Sequence, residues 1–302
     1  MKKILVVVHI YYVDQLDLII QSLKNIPIEY DLYVTIGTDD KQMVKKTLVA
    51  FKPDCHFISV DNVGYDVWPF IKVINQIDLS KYSYVIKLHT KRNLPGTIPE
   101  HLGNGFYVGP GKAWRNDLYA FIKTRKSVIK CLNALDSGNI GMCCRYNLKH
   151  DAPNHCGVMD VAKRDYPNYV VDIENFCFVA GTMFISRIEP IQMLKDMNIT
   201  QDLFDAPNDK HTTQFAHVME RMLGACVYRA GMIIDDPFTS RRHISKILKL
   251  RRTAKRQKRL INLIVCPIFV AKYRRQLRQK LWNNYLNKFI SFENDAGQGG
   301  QL

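Results

Sequence analysis

The sequence predicts an α/β fold, a mainly parallel sheet flanked by helices and followed by a basic helical tail. Three observations lead there. Short β-branched runs alternate with stretches of helical periodicity through the first 92 residues. The connections between them are short, which favours right-handed crossovers and parallel strands. Between Ser240 and Ile290 stand sixteen basic residues and no acidic one, whereas the rest of the chain carries 27 basic against 28 acidic residues.

The elements follow in order. Lys3 to His9 (KILVVVH) reads as a strand buried on both faces, and Leu16, Ile19, Ile20 and Leu23 recur at helical spacing, with Asp14 as the expected N-cap. Tyr30 to Ile36 is a second strand, Asp40 to Phe51 a helix and Cys55 to Val60 a third strand. Asp66 to Ile77 is expected to be helical and Tyr82 to Leu88 a fourth strand. A loop rich in glycine and proline runs from Asn93 to Gly111, then a helix from Ala113 to about Leu135. Gly138 to Asp165 reads as irregular. Tyr169 to Ile173 and Phe176 to Ile185 read as returning strands, the second interrupted at Gly181. Thr212 to Leu223 reads as a helix and Ala225 to Ile234 as a final strand. The expected organisation is a body of residues 1–240, a basic amphipathic helical tail over 241–293 and a disordered polar end over 294–302.

Composition narrows the function. With 47% hydrophobic and 24% charged residues, the 302-residue chain can bury a sizeable core, which excludes a disordered or collagen-like protein. Its eight cysteines lack framework spacing, so reduced thiols in a cytosolic compartment are expected. Neither a secretory leader nor a run of roughly 18 apolar residues is recognisable. Cys143, Cys144, His150, His155 and Cys156 do not have the spacing of a zinc site and are read as an irregular loop. Walker-type, GxGxxG, GxSxG and HExxH motifs are absent, which disfavours ATPase, dehydrogenase, hydrolase and metalloprotease readings.

In a parallel sheet ligands bind beyond the carboxyl ends of the strands. There the sequence places His9 and Tyr11, then Gly37 and Thr38, then Asn62, Gly64 and Asp66, and finally His89, Thr90, Lys91 and Arg92. NVGYDVWPF, Asn62 to Phe70, is either a capped strand-to-helix turn or a site for a ribose or sugar hydroxyl. KLHTKR, Lys87 to Arg92, gathers three basic residues and two further donors where a diphosphate can lie; the rival reading is a basic loop in solvent. Trp114 and Arg115 supply a stacking plane and a forked donor.

These motifs, together with AWRNDL (Ala113 to Leu118), FVAGTMFISR (Phe178 to Arg187) and AHVMERMLG (Ala216 to Gly224), resemble the rhamnan synthesis protein F family, bacterial glycosyltransferases associated with rhamnose-containing polysaccharides and lipopolysaccharide O-antigens. The resemblance runs from about His9 to Asp236. It implies a GT-A-like fold and transfer of a sugar from a nucleoside diphosphate, dTDP-rhamnose above all, to a growing cell-surface polysaccharide or lipid-linked glycan. Where that fold carries a metal-binding DxD pair, this sequence has His89, Thr90 and Lys91, so no metal is expected to be required. Asp172 with Glu174 forms a rival metal pair, and Asp235 with Asp236 a weaker one. Glu220 is the first candidate for the base and Asp66 the second, each also readable as a structural carboxylate. Gly181, Thr182 and His217 are expected in the acceptor or sugar pocket, with a bulge in a core strand as the rival for the first two.

The tail couples its charge to an apolar stretch, Leu260 to Ala271, which suits an anionic membrane surface and hence a cytoplasmic, peripheral location. A nucleic-acid partner is not expected, although tail-driven binding of one, a helical hairpin on the body, another donor sugar such as galactose and a non-catalytic glycan or nucleotide binder stay open.

Overall fold

The computed structural model describes residues 3–91, 111–151, 156–171, 175–204, 215–241 and 245. The chain divides into two compact units, Met1–Arg92 with Arg115–Phe238, and Asn93–Trp114 with Thr239–Leu302. Nearly all of the second unit, including the tail and the polar end, lies outside the described residues.

The first unit opens as a βαβ series. Strand β1 (Ile4–Ile10) is buried throughout, as an apolar run in mid-sheet must be. Helix α1 (Leu16–Leu23), strand β2 (Tyr30–Ile36), helix α2 (Lys41–Phe51), the short strand β3 (His56–Ile58), helix α3 (Val67–Gln76) and strand β4 (Tyr84–His89) follow. Then come α4 (Gly111–Leu118), α5 (Arg125–Asp136), β5 (Ile140–Cys143), β6 (Lys149–Asp151), α6 (Cys156–Asp165), β7 (Cys177–Val179), β8 (Phe184–Arg187), α7 (Ile188–Asp196), α8 (Phe215–Arg229) and β9 (Ile233–Asp235).

Seven strands form one sheet in the order β3-β2-β1-β4-β8-β5-β9, and β6 pairs with β7 in a small antiparallel sheet. All neighbours in the large sheet run parallel except β8, which is antiparallel to both β4 and β5. The α/β class and the mainly parallel sheet are as expected. The connections from β1 lead outward to β2 and β3, and the next one returns past them to β4 on the other side of β1. The order therefore reverses between β1 and β4, and an α/β sheet offers its ligand crevice at such a reversal, beyond the carboxyl ends. Helix α3 packs over β1 and β2 and against α7 and α8, forming one helical layer.

Several expectations are corrected. A 3-10 turn, Val13–Gln15, precedes α1, so Gln15 rather than Asp14 stands at its cap. The Gln15 amide is engaged elsewhere, its Oε1 accepting from the Lys91 N–H at 2.9 Å. The helix expected over 113–135 is two, because Tyr119, Phe121 and Ile122 turn into the core between them and Thr124 caps the second through the Ser127 N–H. The segment 138–165, read as irregular, contains β5, β6 and α6. At Gly141 a Cβ would meet Met232 at 2.8 Å, so close packing explains a residue that weakened the strand signal. Tyr169 belongs to a 3-10 turn, Pro167–Tyr169, and not to a strand. The interrupted strand 176–185 is two strands in two sheets. Helix α8 runs on to Arg229 through residues read as strand, leaving β9 three residues long.

Candidate functional site

Lys87 sets the character of the site. On a strand otherwise apolar until His89, it is 1% exposed, and a buried ammonium requires partners. It donates to Asp66 Oδ2 at 2.5 Å, to Thr182 Oγ1 at 2.7 Å and to the Thr182 carbonyl at 3.1 Å. Three acceptors match its three N–H bonds. The Thr182 hydroxyl, accepting from Lys87, donates in turn to Asp66 Oδ2. Sequence reading counted Lys87 among the cations facing a diphosphate; it points inward and ties two loops together. Its signal was legible, since a lone charge in a buried strand calls for a countercharge.

Those loops are the turn before α3 and the turn between β7 and β8. Each contains two consecutive residues in the left-handed region, Gly64 (φ 66°) with Tyr65 (φ 54°), and Gly181 (φ 78°) with Thr182 (φ 49°). Glycine adopts this conformation freely, whereas a tyrosine or β-branched threonine there is an outlier held by its surroundings. At Gly64 there is also no room for a Cβ, which would lie 2.7 Å from that of Trp68. The second turn is fixed from a third element, because Glu220 Oε1 on α8 accepts from the Gly181 N–H at 2.7 Å while Oε2 pairs with Arg221. The Arg221 guanidinium is buried over the Phe178 ring, 4.4 Å from its centroid.

Between these turns lies a cleft of about 310 Å³, within the size range of small-ligand sites. Asp66, Lys91, Gly181, Thr182, His217 and Glu220 line it, six residues named from the sequence, together with Tyr65, which was not. The sequence signal for Tyr65 was its place directly after Gly64 in NVGYDVWPF, beside the Asp66 already named. Asp66 brings an anchored carboxylate. Its Oδ2 takes the bonds just described, and its Oδ1 accepts none among the described residues. Burial alone would raise its pKa, but His89, in the acid range where it carries a proton, together with the charges of Lys87 and Lys91 and the Lys87 hydrogen bond, prevails and holds it well below the usual carboxylate range. Desolvation pulls the Lys87 ammonium below its ordinary value against the attraction of Asp66. His217 is also lowered by desolvation, against the nearby Glu220 carboxylate, so its imidazole is neutral at pH 7.

The other expected residues lie elsewhere. His89 is buried, with Nδ1 3.3 Å from Asp66 Oδ2, and neither ring nitrogen has a hydrogen bond among the described residues. Desolvation takes its pKa well below the ordinary value, so it is no cationic phosphate partner. His9 pairs in register with His89 and bonds Thr35 Oγ1 at 2.9 Å, and burial pulls it down to about 4. The Thr90 hydroxyl accepts from the backbone N–H of both Tyr11 and Tyr12 at 2.9 Å, fixing the loop after β1. Gly37 lies against His9, where an added Cβ would stand 3.0 Å from the imidazole ring, Thr38 is half-buried and Asn62 is exposed. Arg115, on α4, is not among the residues lining the cleft. Arg92, the Trp114 side chain, Asp172 and Glu174 lie outside the described residues. Asp236 is structural, accepting from the N–H of Tyr146 and of Phe238.

At the carboxyl end of β4 the donor set does not suit a divalent cation, which favours carboxylate and carbonyl oxygen. His89 is buried, the Thr90 hydroxyl is engaged, and Lys91 is itself a cation.

Two relatives, from two strains of Xanthomonas campestris pv. campestris, are each described as "Uncharacterized protein WxcX". Each is 22% identical over 233 residues, covering 75% of this chain. The chain spans 31% of the length of these curated relatives. The rhamnan synthesis protein F (RgpF) family matches residues 1–232, from β1 to the end of α8 with both strained turns inside the span, and the chain belongs to that family.

Proposed function

We propose that this protein is a GT-A-like glycosyltransferase that moves a sugar, rhamnose by the family's name, from a nucleoside diphosphate to a growing cell-surface polysaccharide or lipid-linked glycan. Membership of a rhamnan synthesis family supports the polysaccharide role. The observation that carries the chemistry is the cleft beyond β4, where a cation (Lys91), an anchored carboxylate (Asp66) and a neutral imidazole (His217) meet.

In the proposed reaction an acceptor hydroxyl oxygen bonds to the anomeric carbon as the bond from that carbon to the diphosphate breaks. The electron pair leaves on the diphosphate, where Lys91 balances the developing charge in place of a metal. The acceptor proton passes to His217. The neutral imidazole is able to take a proton, whereas the Asp66 carboxylate is held well below the usual range and both Glu220 oxygens are held by Gly181 and Arg221. Asp66 then orients a sugar or ribose hydroxyl through Oδ1.

The test is release of nucleoside diphosphate from dTDP-rhamnose and UDP-galactose with a rhamnan or lipid-linked glycan acceptor, in the presence and absence of EDTA. Turnover that survives EDTA and falls about 10²-fold or more in both His217→Gln and Lys91→Ala is expected. Wild-type rates in both variants would remove these residues from the reaction, and loss of activity in EDTA would restore a metal.

A further inference from the structure

The start of α5 carries charge of the wrong sign for a helix. Lys123, Arg125 and Lys126 surround its N-cap, Thr124, and no acidic residue stands in the first turn, where the helix dipole favours a negative charge. The cap itself is complete, with Thr124 Oγ1 accepting from the Ser127 N–H at 3.1 Å, so the fold has no use for a cation there. Val128, Cys131, Leu132 and Leu135 are buried. That leaves Arg125, Lys126, Ile129 and Lys130 on the outer side, all exposed.

The end of α1 extends this surface. Asn25 Nδ2 donates to the carbonyls of Ile122 at 3.0 Å and Lys123 at 3.1 Å, and Arg125 Nη2 donates to the Pro27 carbonyl at 3.4 Å. Exposed Lys24, next to Asn25, therefore joins the same patch. No ion pair among the described residues involves Lys24, Lys123, Arg125, Lys126 or Lys130. The acids nearest to them in sequence are engaged elsewhere. Glu29 pairs with Lys3 at 3.6 Å, Asp117 with Arg145 at 3.5 Å, and Asp136 accepts from the Tyr84 hydroxyl. The tail brings no countercharge either, having no acidic residue between Ser240 and Ile290. Like charges repel, so the anion that suits this patch comes from outside the chain.

Cations on long flexible stems around one exposed aliphatic, Ile129 at 40%, fit the plane of an anionic bilayer surface. Headgroup phosphates attract the charges without fixed geometry, and the headgroup boundary accepts the apolar side chain. No aromatic is exposed among these residues for a base to stack on, which disfavours nucleic acid.

We propose that Lys24, Lys123, Arg125, Lys126, Ile129 and Lys130 form a face that docks on an anionic lipid leaflet. This goes beyond the transferase reading and does not depend on it. Helix α1 begins beyond the carboxyl end of β1 and ends before β2 begins, which puts Lys24 toward the amino edge of the sheet, away from the cleft.

The test compares three full-length proteins: wild type, Lys126→Gln with Lys130→Gln, and Lys72→Gln with Lys163→Gln. The last pair removes the same charge from α3 and α6, which pack against α8. Each is sedimented with vesicles of mixed phosphatidylglycerol and phosphatidylcholine, titrated with a short DNA duplex at the same salt, and melted. The α5 pair should bind the vesicles about thirtyfold more weakly than wild type, while the α3 and α6 pair binds almost as wild type does. Melting of the α5 pair should stay level or rise, because a cation is taken from the start of a helix. Equal weakening in both pairs would reduce the effect to net charge and overturn the face. Wild-type binding by the α5 pair would leave attachment to the tail alone, and a wild type that ignores the vesicles would end both. A loss by the α5 pair for DNA and not for vesicles would assign the patch to nucleic acid instead.

Discussion

Lys87 and Asp66 form an ion pair that solvent scarcely reaches, 1% and 17% of their side chains being exposed. Such a pair adds little over a well-packed apolar one, but removing one partner strands a charge in low dielectric. Lys87→Met is therefore expected to destabilise the chain by about 3–5 kcal/mol, read from urea unfolding, and Asp66→Asn by a similar amount. A loss below about 1 kcal/mol, the level of exposed pairs, would show that water reaches the site. His9 gives a pH dependence. Its folded pKa of about 4 lies below the value of 6.5 for an unperturbed histidine, so on acidification the unfolded chain takes the proton first. The stabilisation is fully present above pH 6.5 and is lost as pH falls from there toward 4, about 3 kcal/mol in all, with buried His89 changing in the same sense. Urea midpoints at pH 7.5, 6 and 4.5 should fall in that order, and a flat series would mean that His9 is solvated.

Helix α8 brings His217 and Glu220 to the cleft because its other side lies directly on β7. At Gly224 an added Cβ would stand 2.8 Å from the Phe178 Cα, backbone that cannot give way. Gly224→Ala raises intrinsic helix propensity by about 1 kcal/mol. Crowding should outweigh that gain, so a net loss of about 1–3 kcal/mol is expected in thermal or urea unfolding. A more stable variant would mean that the helix is free to move outward. The same helix shows where sequence reading failed. Ala225 to Tyr228 suggests a strand by composition, yet Ala225, Cys226 and Val227 are buried on a helix that packs against β7 and α7, tertiary packing overriding propensity. β1 and β4 were legible as runs buried on both faces, and β2 and β3, half-buried, as β-rich runs bounded by turn residues. β5 and β6, in the segment read as irregular, are four and three residues long and carry no β-branched run to announce them, whereas β7 was read as the first part of the strand from Phe176.

The cleft was legible in part, through the rule that an α/β sheet binds at its carboxyl edge. That rule selected Asp66 and Lys91, the family resemblance added Gly181, Thr182, His217 and Glu220, and the six meet in one place. The rule also selected His9, His89 and Thr90, which the same edge uses to hold itself together; burial separates the two groups, and spacing in the sequence carries no record of it. The charge of the whole chain, +15, is concentrated beyond residue 240 and so bears on where the protein resides more than on what the cleft binds. No helix among the described residues is long and apolar enough to cross a membrane. We propose that residues 241–293 attach the chain to an anionic leaflet. Full-length protein should sediment with phosphatidylglycerol vesicles, remain in solution with phosphatidylcholine, and be released by salt. Equal recovery with both lipids would end the proposal.

The segment from Phe176 to Arg187 belongs to two sheets, and the step from one to the other is made near Gly181 and Thr182. The wall of the binding site is thus also a weld in the frame. A molecule that grips Thr182 grips the seam by which the β6–β7 pair is spliced to the larger sheet, so recognition and architecture draw on the same few bonds.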